Sequence, residues 1–393
     1  MYNIALYNCT MQYYKRIKFM KDNTLQGLIK KADKIHLTQP KKAIKLYKEI
    51  LKNKKYITNE GLVNILINYA GSHLEMRERD PAEKLLKEAN SIIPKSADYF
   101  LTTLYMGKGD LEKGFKKYKT RYTDSVYGEE YKWVFEDFSN KKLMNNLIDI
   151  KDKTVLIFSE QGFGDEIMFT TMYDYISKNV KFAYIELKNN MYDLMMSLFN
   201  DKYPNILFWT RGQLKEDEGL QKEFISKINK EVEVKALIGD IFSEFWLEFG
   251  FIPKHNVLRK SVGNKIGLVP YAGVLGNNSK HKSYYNIEKY ISKNKDYFML
   301  ARMEKGQAKL SSNVHKVVQD DWGFIDTANW IIKNCEYVVS IDTSIAHLCG
   351  LLGIKCYVVL SELYQDWRWT KLDMYESTIV LNDMQEAKNL GLI

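Results

Sequence analysis

The chain changes period after about residue 150, and that change constrains its fold more than any other feature. Upstream, from Lys41 to Tyr122, apolar residues recur at helical spacing. Downstream, short β-rich runs alternate with helical stretches. The first series is Thr154–Phe158 (TVLIF), Phe182–Leu187 (FAYIEL) and Ile206–Trp209. The second is Lys265–Val269 (KIGLV), Tyr297–Leu300 (YFML), Val314–Val318, Glu336–Ser340 (EYVVS) and Lys355–Leu360 (KCYVVL). Strands that alternate with helices pair in parallel, because each return crossing needs the length of a helix. A polar stretch near Pro253–Gly263 parts the two series. The expectation is therefore a helical domain over 1–145 followed by two Rossmann-like α/β domains, over 146–255 and 256–393. Ligands of such sheets bind beyond the carboxyl ends of the strands, so the strand-to-helix turns are where chemistry is sought.

The helical third carries a repeat-like signal. In DPAEKLLKEANSIIP, Ala82, Ala89 and Pro94 have the small, small and proline spacing of a tetratricopeptide second helix. Small residues let paired helices approach closely, and the proline stops the helix. Ala43 opens a similar stretch 39 residues earlier and Gly114 another 32 residues later, so the intervals bracket the 34-residue period without matching it. Two or three degenerate repeats or a plain helical bundle both fit. Such repeats are scaffolds, and alone they would suggest a protein-binding module.

Charge is distributed unevenly. The whole chain of 393 residues carries +9, yet residues 1–55 hold fourteen Lys and Arg against Asp22, Asp33 and Glu49, a balance of 14 − 3 = +11. One reading is a basic face for an anionic partner such as nucleic acid, a membrane surface or an acidic glycan. The other is a lysine-rich solvated surface, favoured by fifty lysines against eight arginines. No apolar run reaches the length of a transmembrane helix, and the first twenty residues lack a signal-peptide core, so a cytoplasmic location is expected. Cys9, Cys335, Cys349 and Cys356 make neither a disulfide framework nor a CxxC zinc pair.

Two turns hold residue types suited to chemistry. TVLIF runs into SEQGFGDE, where Gly162 and Gly164 permit a tight turn and close approach of a ligand to the backbone. Asp165 falls at the start of the next helix, either as a capping residue or as a functional carboxylate. The GxGxxG dinucleotide fingerprint is absent. EYVVS runs into IDTSIAHLCGLLG, placing Asp342, Thr343 and Ser344 where a helix begins. Free N–H groups, the helix dipole and two hydroxyls suit a phosphate there. His347 follows one turn later, on the face of Ser344. Asp342 or Thr343 as a cap and His347 as an interior polar residue is the plainer alternative.

Taken in order, SEQGFGDEIMF, KIGLVPYAG, HKS, DTANWIIKNCEYVVSIDTSIAHLCGLLG and DWRW resemble tetratricopeptide-repeat glycosyltransferases whose catalytic part is similar to bacterial heptosyltransferases. The resemblance covers roughly residues 80–375. It implies a GT-B fold, with two Rossmann-like domains flanking a cleft. It also implies a nucleotide-sugar donor held by the C-terminal domain, a UDP-sugar being the first candidate, and no required metal or cofactor. Asp165 matches the family's aspartate, the proposed general base. Asp342, Thr343, Ser344 and His347 match the donor-diphosphate turn, with His347 helping to neutralise the leaving group. Lys282 in HKS matches a basic position near the phosphates, and Glu304 in RMEKG a position for the ribose hydroxyls. Tyr271 and Gly273, after KIGLV, would line the cleft. The family's VWAG turn reads VPYAG here, so Pro270 alters the backbone where donor choice is set. Trp367, Arg368 and Trp369 fit DWRW, by stacking at the cleft edge or by packing near the terminus.

The resemblance therefore implies transfer of a sugar, with inversion, to a hydroxyl of a glycan, protein or lipid-linked sugar. A modified DNA base is an alternative acceptor, motivated by the basic 1–55 segment, although no base-reading motif accompanies it. A different class, a tetratricopeptide scaffold with an inactive transferase part, is opposed by the presence of both Asp165 and His347.

Overall fold

A computed structural model of the chain describes residues 23–123, 138–255, 263–270, 290–301, 311–360 and 366–393. The chain divides into two units, one helical and one α/β. The second comprises Val134–Val274, Lys282–Glu362 and Arg368–Ile393.

The helical unit includes the successive helices α1 (Asn23–Ile35), α2 (Pro40–Leu51), α3 (Asn59–Glu75), α4 (Arg79–Ile92), α5 (Asp98–Lys108) and α6 (Leu111–Tyr118). Each packs on its neighbour in sequence, as short connections require. Ala43, Ala82 and Ala89 are fully buried at these helix contacts. Pro94 follows Ile93, whose extended backbone ends α4, the conformation a residue before proline favours. Gly114 lets α6 approach α5 so closely that a Cβ there would lie 2.5 Å from the Met106 Cγ. The lysines of α1 and α2 (Lys30, Lys31, Lys34, Lys41, Lys42, Lys45, Lys48) are exposed. Among the polar groups buried in this unit is Asp33, which accepts hydrogen bonds from the Tyr47 hydroxyl (2.8 Å) and the Asn68 amide (3.1 Å).

The α/β unit holds two wholly parallel sheets. In the first, β1 (Lys142–Leu143), β2 (Thr154–Phe158), β3 (Phe182–Leu187), β4 (Ile206–Thr210) and β5 (Val234–Leu237) lie in the order β1-β5-β2-β3-β4. In the second, β6 (Lys265–Val269), β7 (Tyr297–Met299), β8 (Val314–Lys316), β9 (Cys335–Ile341), β10 (Cys356–Val359) and β11 (Thr378–Leu381) lie in the order β11-β10-β9-β6-β7-β8. β2 and β10 are buried along their whole length, as expected of strands covered on both faces. β1, β5 and β11 were not among the expected strands. The limits of β2, β3 and β6 are those expected, and those of β4, β7, β8, β9 and β10 differ by a residue or two at an end.

Strand order reverses twice. From β2 the first sheet grows outward through β3 and β4, then returns to the other side of β2 with β5. From β6 the second grows through β7 and β8, then returns to the other side of β6 with β9. Crevices open at the carboxyl ends of strands that flank such a reversal. The turns after β2 and β9 are the two that the sequence marks.

Candidate functional site

The turn after β2 enters α7 (Phe163–Phe169). Glu160, buried at the end of β2, accepts the Gly239 N–H through Oε1 at 2.7 Å, which ties the turn to the β5 side of the reversal. Gln161 adopts a left-handed φ of 63°, and the helix then starts with Gly162 as its cap. Asp165 is therefore not the cap. It stands at the third helical position, and its Oδ2 accepts the Gly162 N–H at 3.1 Å. Its Oδ1 lies 2.7 Å from Nη2 of Arg368, and both side chains are at most a tenth exposed.

The turn after β9 enters α14 (Ser344–Leu352), the intervening helices of this unit being α8 (Tyr173–Asn179), α9 (Tyr192–Phe199), α10 (Arg211–Glu216), α11 (Glu218–Glu231), α12 (Ile238–Phe249) and α13 (Phe324–Asn334). Thr343 occupies the cap position, but its side chain makes no capping bond. Its hydroxyl meets that of Ser340 at 3.1 Å. Asp342 precedes the cap position. Its Oδ1 accepts the indole N–H of Trp369 at 2.8 Å. The first N–H groups of a helix have no partner within it, so the start of α14 keeps donors for an anion. Asp342, Thr343 and Ser344 are half-buried.

The two turns meet. A Cβ on Gly164 would lie 2.8 Å from Cδ2 of His347 and 3.5 Å from Cα of Ser344, so only glycine allows this approach. The rings of Phe163 and Phe324, at the starts of α7 and α13, lie 5.1 Å apart. His347 is 3% exposed. Its Nδ1 is 2.9 Å from the Tyr375 hydroxyl, and the Trp369 ring lies 4.4 Å away. Tyr375 seats against Gly350 of α14, where a Cβ would overlap its ring. It also stacks on His255, with centroids 5.2 Å apart and planes 4° from parallel. Burial pushes the Tyr375 phenol well above its ordinary pKa, with the Asp165 carboxylate adding to the rise. Burial, together with the neighbouring His347, depresses His255 to about 3.

The structure thus brings together Gly164, Asp165, Ser344 and His347. Lys282, Glu304, Tyr271 and Gly273 lie outside the described residues. Arg368, Trp369, Tyr375 and His255 join the site without having been assigned to it from the sequence. The DWRW motif marked the first two as cleft-edge or packing residues; nothing marked Tyr375 or His255.

Acidic and basic side chains also gather at the carboxyl end of β3. Buried Glu166 accepts the Lys188 N–H at 3.0 Å and pairs with Lys188 Nζ at 3.2 Å. Glu186 pairs with Arg211 at 2.5 Å. Burial raises Glu166 and carries Glu186 to about 7, against the opposing pull of Arg211. Among the described residues, no three His, Cys, Asp or Glu side chains converge as a metal site would require. Among the described residues, no helix is long and apolar enough to cross a membrane.

No protein-family profile matches the chain, and no curated protein matches it. Similar solved structures are glycosyltransferases. The iron-containing dodecameric glycosyltransferase TibC of enterotoxigenic E. coli is 11% identical, with 59% of this chain and 63% of that one covered and a TM-score of 0.40. The match thus spans less than two thirds of TibC. E. coli heptosyltransferase WaaC with ADP is 8% identical, with 61% and 98% covered and a TM-score of 0.40. An O-GlcNAc transferase of Thermobaculum terrenum is 9% identical, with 96% and 90% covered and a TM-score of 0.32. Superpositions this loose fix no residue correspondence, and the functional reading rests on the chain's own geometry.

Proposed function

We propose that the chain is a glycosyltransferase of GT-B arrangement with a tetratricopeptide-like helical domain. It moves a sugar from a nucleoside-diphosphate sugar, a UDP-sugar first among them, to an acceptor hydroxyl, with inversion and without a metal. The observation that supports this most is the meeting of the two turns at Gly164 and His347. It sets a buried carboxylate beside a helix N-terminus that has donors to spare.

Asp165 is the base of this reading. Each of its oxygens accepts one hydrogen bond or ion-pair contact, and a carboxylate has about four acceptor sites. Capacity remains for the proton of an acceptor hydroxyl. The hydroxyl oxygen forms its bond to the anomeric carbon from one face as the bond to the diphosphate oxygen breaks on the other. Charge developing on the leaving diphosphate is met by the N–H groups at the start of α14, by the Thr343 and Ser344 hydroxyls and by Lys282. His347, held through Nδ1, braces that turn from within. Glu304 binds the ribose, and Tyr271 and Gly273 line the donor pocket.

The test is thermal stability against UDP, GDP, ADP, CMP and dTDP. A ligand at a hundred times its Kd adds about 2.7 kcal/mol. One nucleotide should raise Tm selectively, and Asp165→Asn should keep that shift while losing transfer from the matching nucleotide sugar. Folded protein that no nucleotide stabilises would overturn the proposal in favour of a scaffold.

A further inference from the structure

One short element reaches both turns. In the helix Trp367–Thr370, here α15, adjacent residues take the carboxylates of the two motifs. Arg368 Nη2 lies 2.7 Å from Asp165 Oδ1, and Trp369 Nε1 donates to Asp342 Oδ1 at 2.8 Å. The Trp369 ring also lies against His347. Asp165, Arg368 and Trp369 are all buried.

We infer that Arg368 and Trp369 are positioning residues, which hold the Asp165 carboxylate in register with the start of α14. The inference rests on the reading of Asp165 as the base. A carboxylate on a free side chain would rotate between several directions. Here the Gly162 N–H fixes one oxygen by a hydrogen bond and the Arg368 ion pair draws the other toward Nη2, so the carboxylate is restrained from both sides. A guanidinium does this where an ammonium would not, because its donors form a rigid planar fork. It also sets a positive charge against a carboxylate withdrawn from water. Trp369, a donor only, does the same for Asp342, so one turn of helix sets the spacing of base and donor turn.

A purely structural staple would lower Tm and leave the chemistry of the folded fraction unchanged. The experiment therefore reads kinetics and pairing separately, on the full chain. With the nucleotide sugar selected by the panel, Arg368→Ala should lower kcat by about 100-fold or more, while donor KM stays within about threefold. Guanidinium at millimolar concentration should restore part of the rate. Arg368→Lys should still lose rate, because charge is retained and direction is not. An unchanged kcat in the Ala variant, or a fall that guanidinium does not rescue, would overturn the inference. Should the Ala variant not fold, an unchanged kcat in the Lys variant would do so. A substrate-free double-mutant cycle of Asp165→Asn and Arg368→Gln, read as the denaturation midpoint, tests the pairing itself. Strongly non-additive losses are expected, and additive ones would overturn the inference. If the wild type turns over no nucleotide sugar, the proposed transfer fails, and the cycle alone then decides on the pair.

Discussion

Replacing Gly164 with alanine tests the meeting of the two turns directly. The added Cβ would lie 2.8 Å from His347 Cδ2 and 3.4 Å from Nε2. Ordinary contact begins near 3.4 Å, so the ring must retreat by about 0.6 Å to clear the repulsive wall. It has nowhere to go. Tyr375 holds Nδ1 at 2.9 Å, Trp369 lies behind at 4.4 Å, and Tyr375 is itself pressed against Gly350. Overpacking of this kind costs about 1–3 kcal/mol. The helical preference of alanine over glycine returns at most about 1 kcal/mol. The net expectation is a loss of about 1–2 kcal/mol, which at roughly 2–4 °C per kcal/mol is a fall in Tm of several degrees. Gly27, in the exposed middle of α1 with no described atom within 4 Å of its Cβ position, is the control. The same substitution there has only the propensity gain and should raise the stability of the helical unit by about 0.5–1 kcal/mol. Calorimetry of the full chain separates the two signs. If Gly164→Ala raised Tm as Gly27→Ala does, α7 and α14 would not be in contact, and the site built on that contact would fall.

Three further outcomes follow from the same structure. Glu186 titrates near 7 in the folded chain against an ordinary 4.5, so the folded state binds the proton more tightly. Its contribution to stability is full below about 4.5 and lost as pH rises through about 7, a change of roughly 3 kcal/mol. Urea midpoints at pH 5 and pH 8 should therefore differ less for Glu186→Gln than for the wild type, and an equal difference would refute the assignment. His255 has the opposite sign: its folded value near 3 lies below the ordinary 6.5, so its contribution is present above 6.5 and lost as pH falls toward 3. His255→Gln should flatten that acid loss, measured by the same midpoints between pH 7 and pH 4. Asp33→Leu leaves the Tyr47 hydroxyl and the Asn68 amide without their buried acceptor and should cost about 1–3 kcal/mol or more. Asp33→Asn, which keeps an oxygen for one of them, should cost less, and a reversed order in thermal unfolding would contradict the buried network.

How much of this the sequence reveals depends on whether a residue's reason lies next to it in the chain. β2, β3, β9 and β10 read clearly because strands covered on both faces become continuous apolar runs. β5 did not, because Lys235 interrupts VKAL. That lysine is 3% exposed and donates to the Phe138 carbonyl at 2.7 Å, a partner no local pattern foretells. β11 did not because it is a short edge strand with Ile379 and Val380 half out in solvent. The same distinction divides the site. Gly164, Asp165, Ser344 and His347 stand out because turns and helix starts restrict residue type locally. Tyr375 and His255 do not, since an aromatic and a histidine in polar loops are unremarkable until they stack on one another beneath α14. Arg368 is intermediate. Its motif is visible, yet its role depends on a carboxylate in the other sheet's first turn. Residues that touch a ligand tend to carry a local signature because the backbone around them is special. Residues that aim those residues are chosen by three-dimensional partners, and only the fold discloses them. Arg368, ion-paired with Asp165, and Trp369, hydrogen-bonded to Asp342, are of this second kind, which is why their test must separate rate from stability.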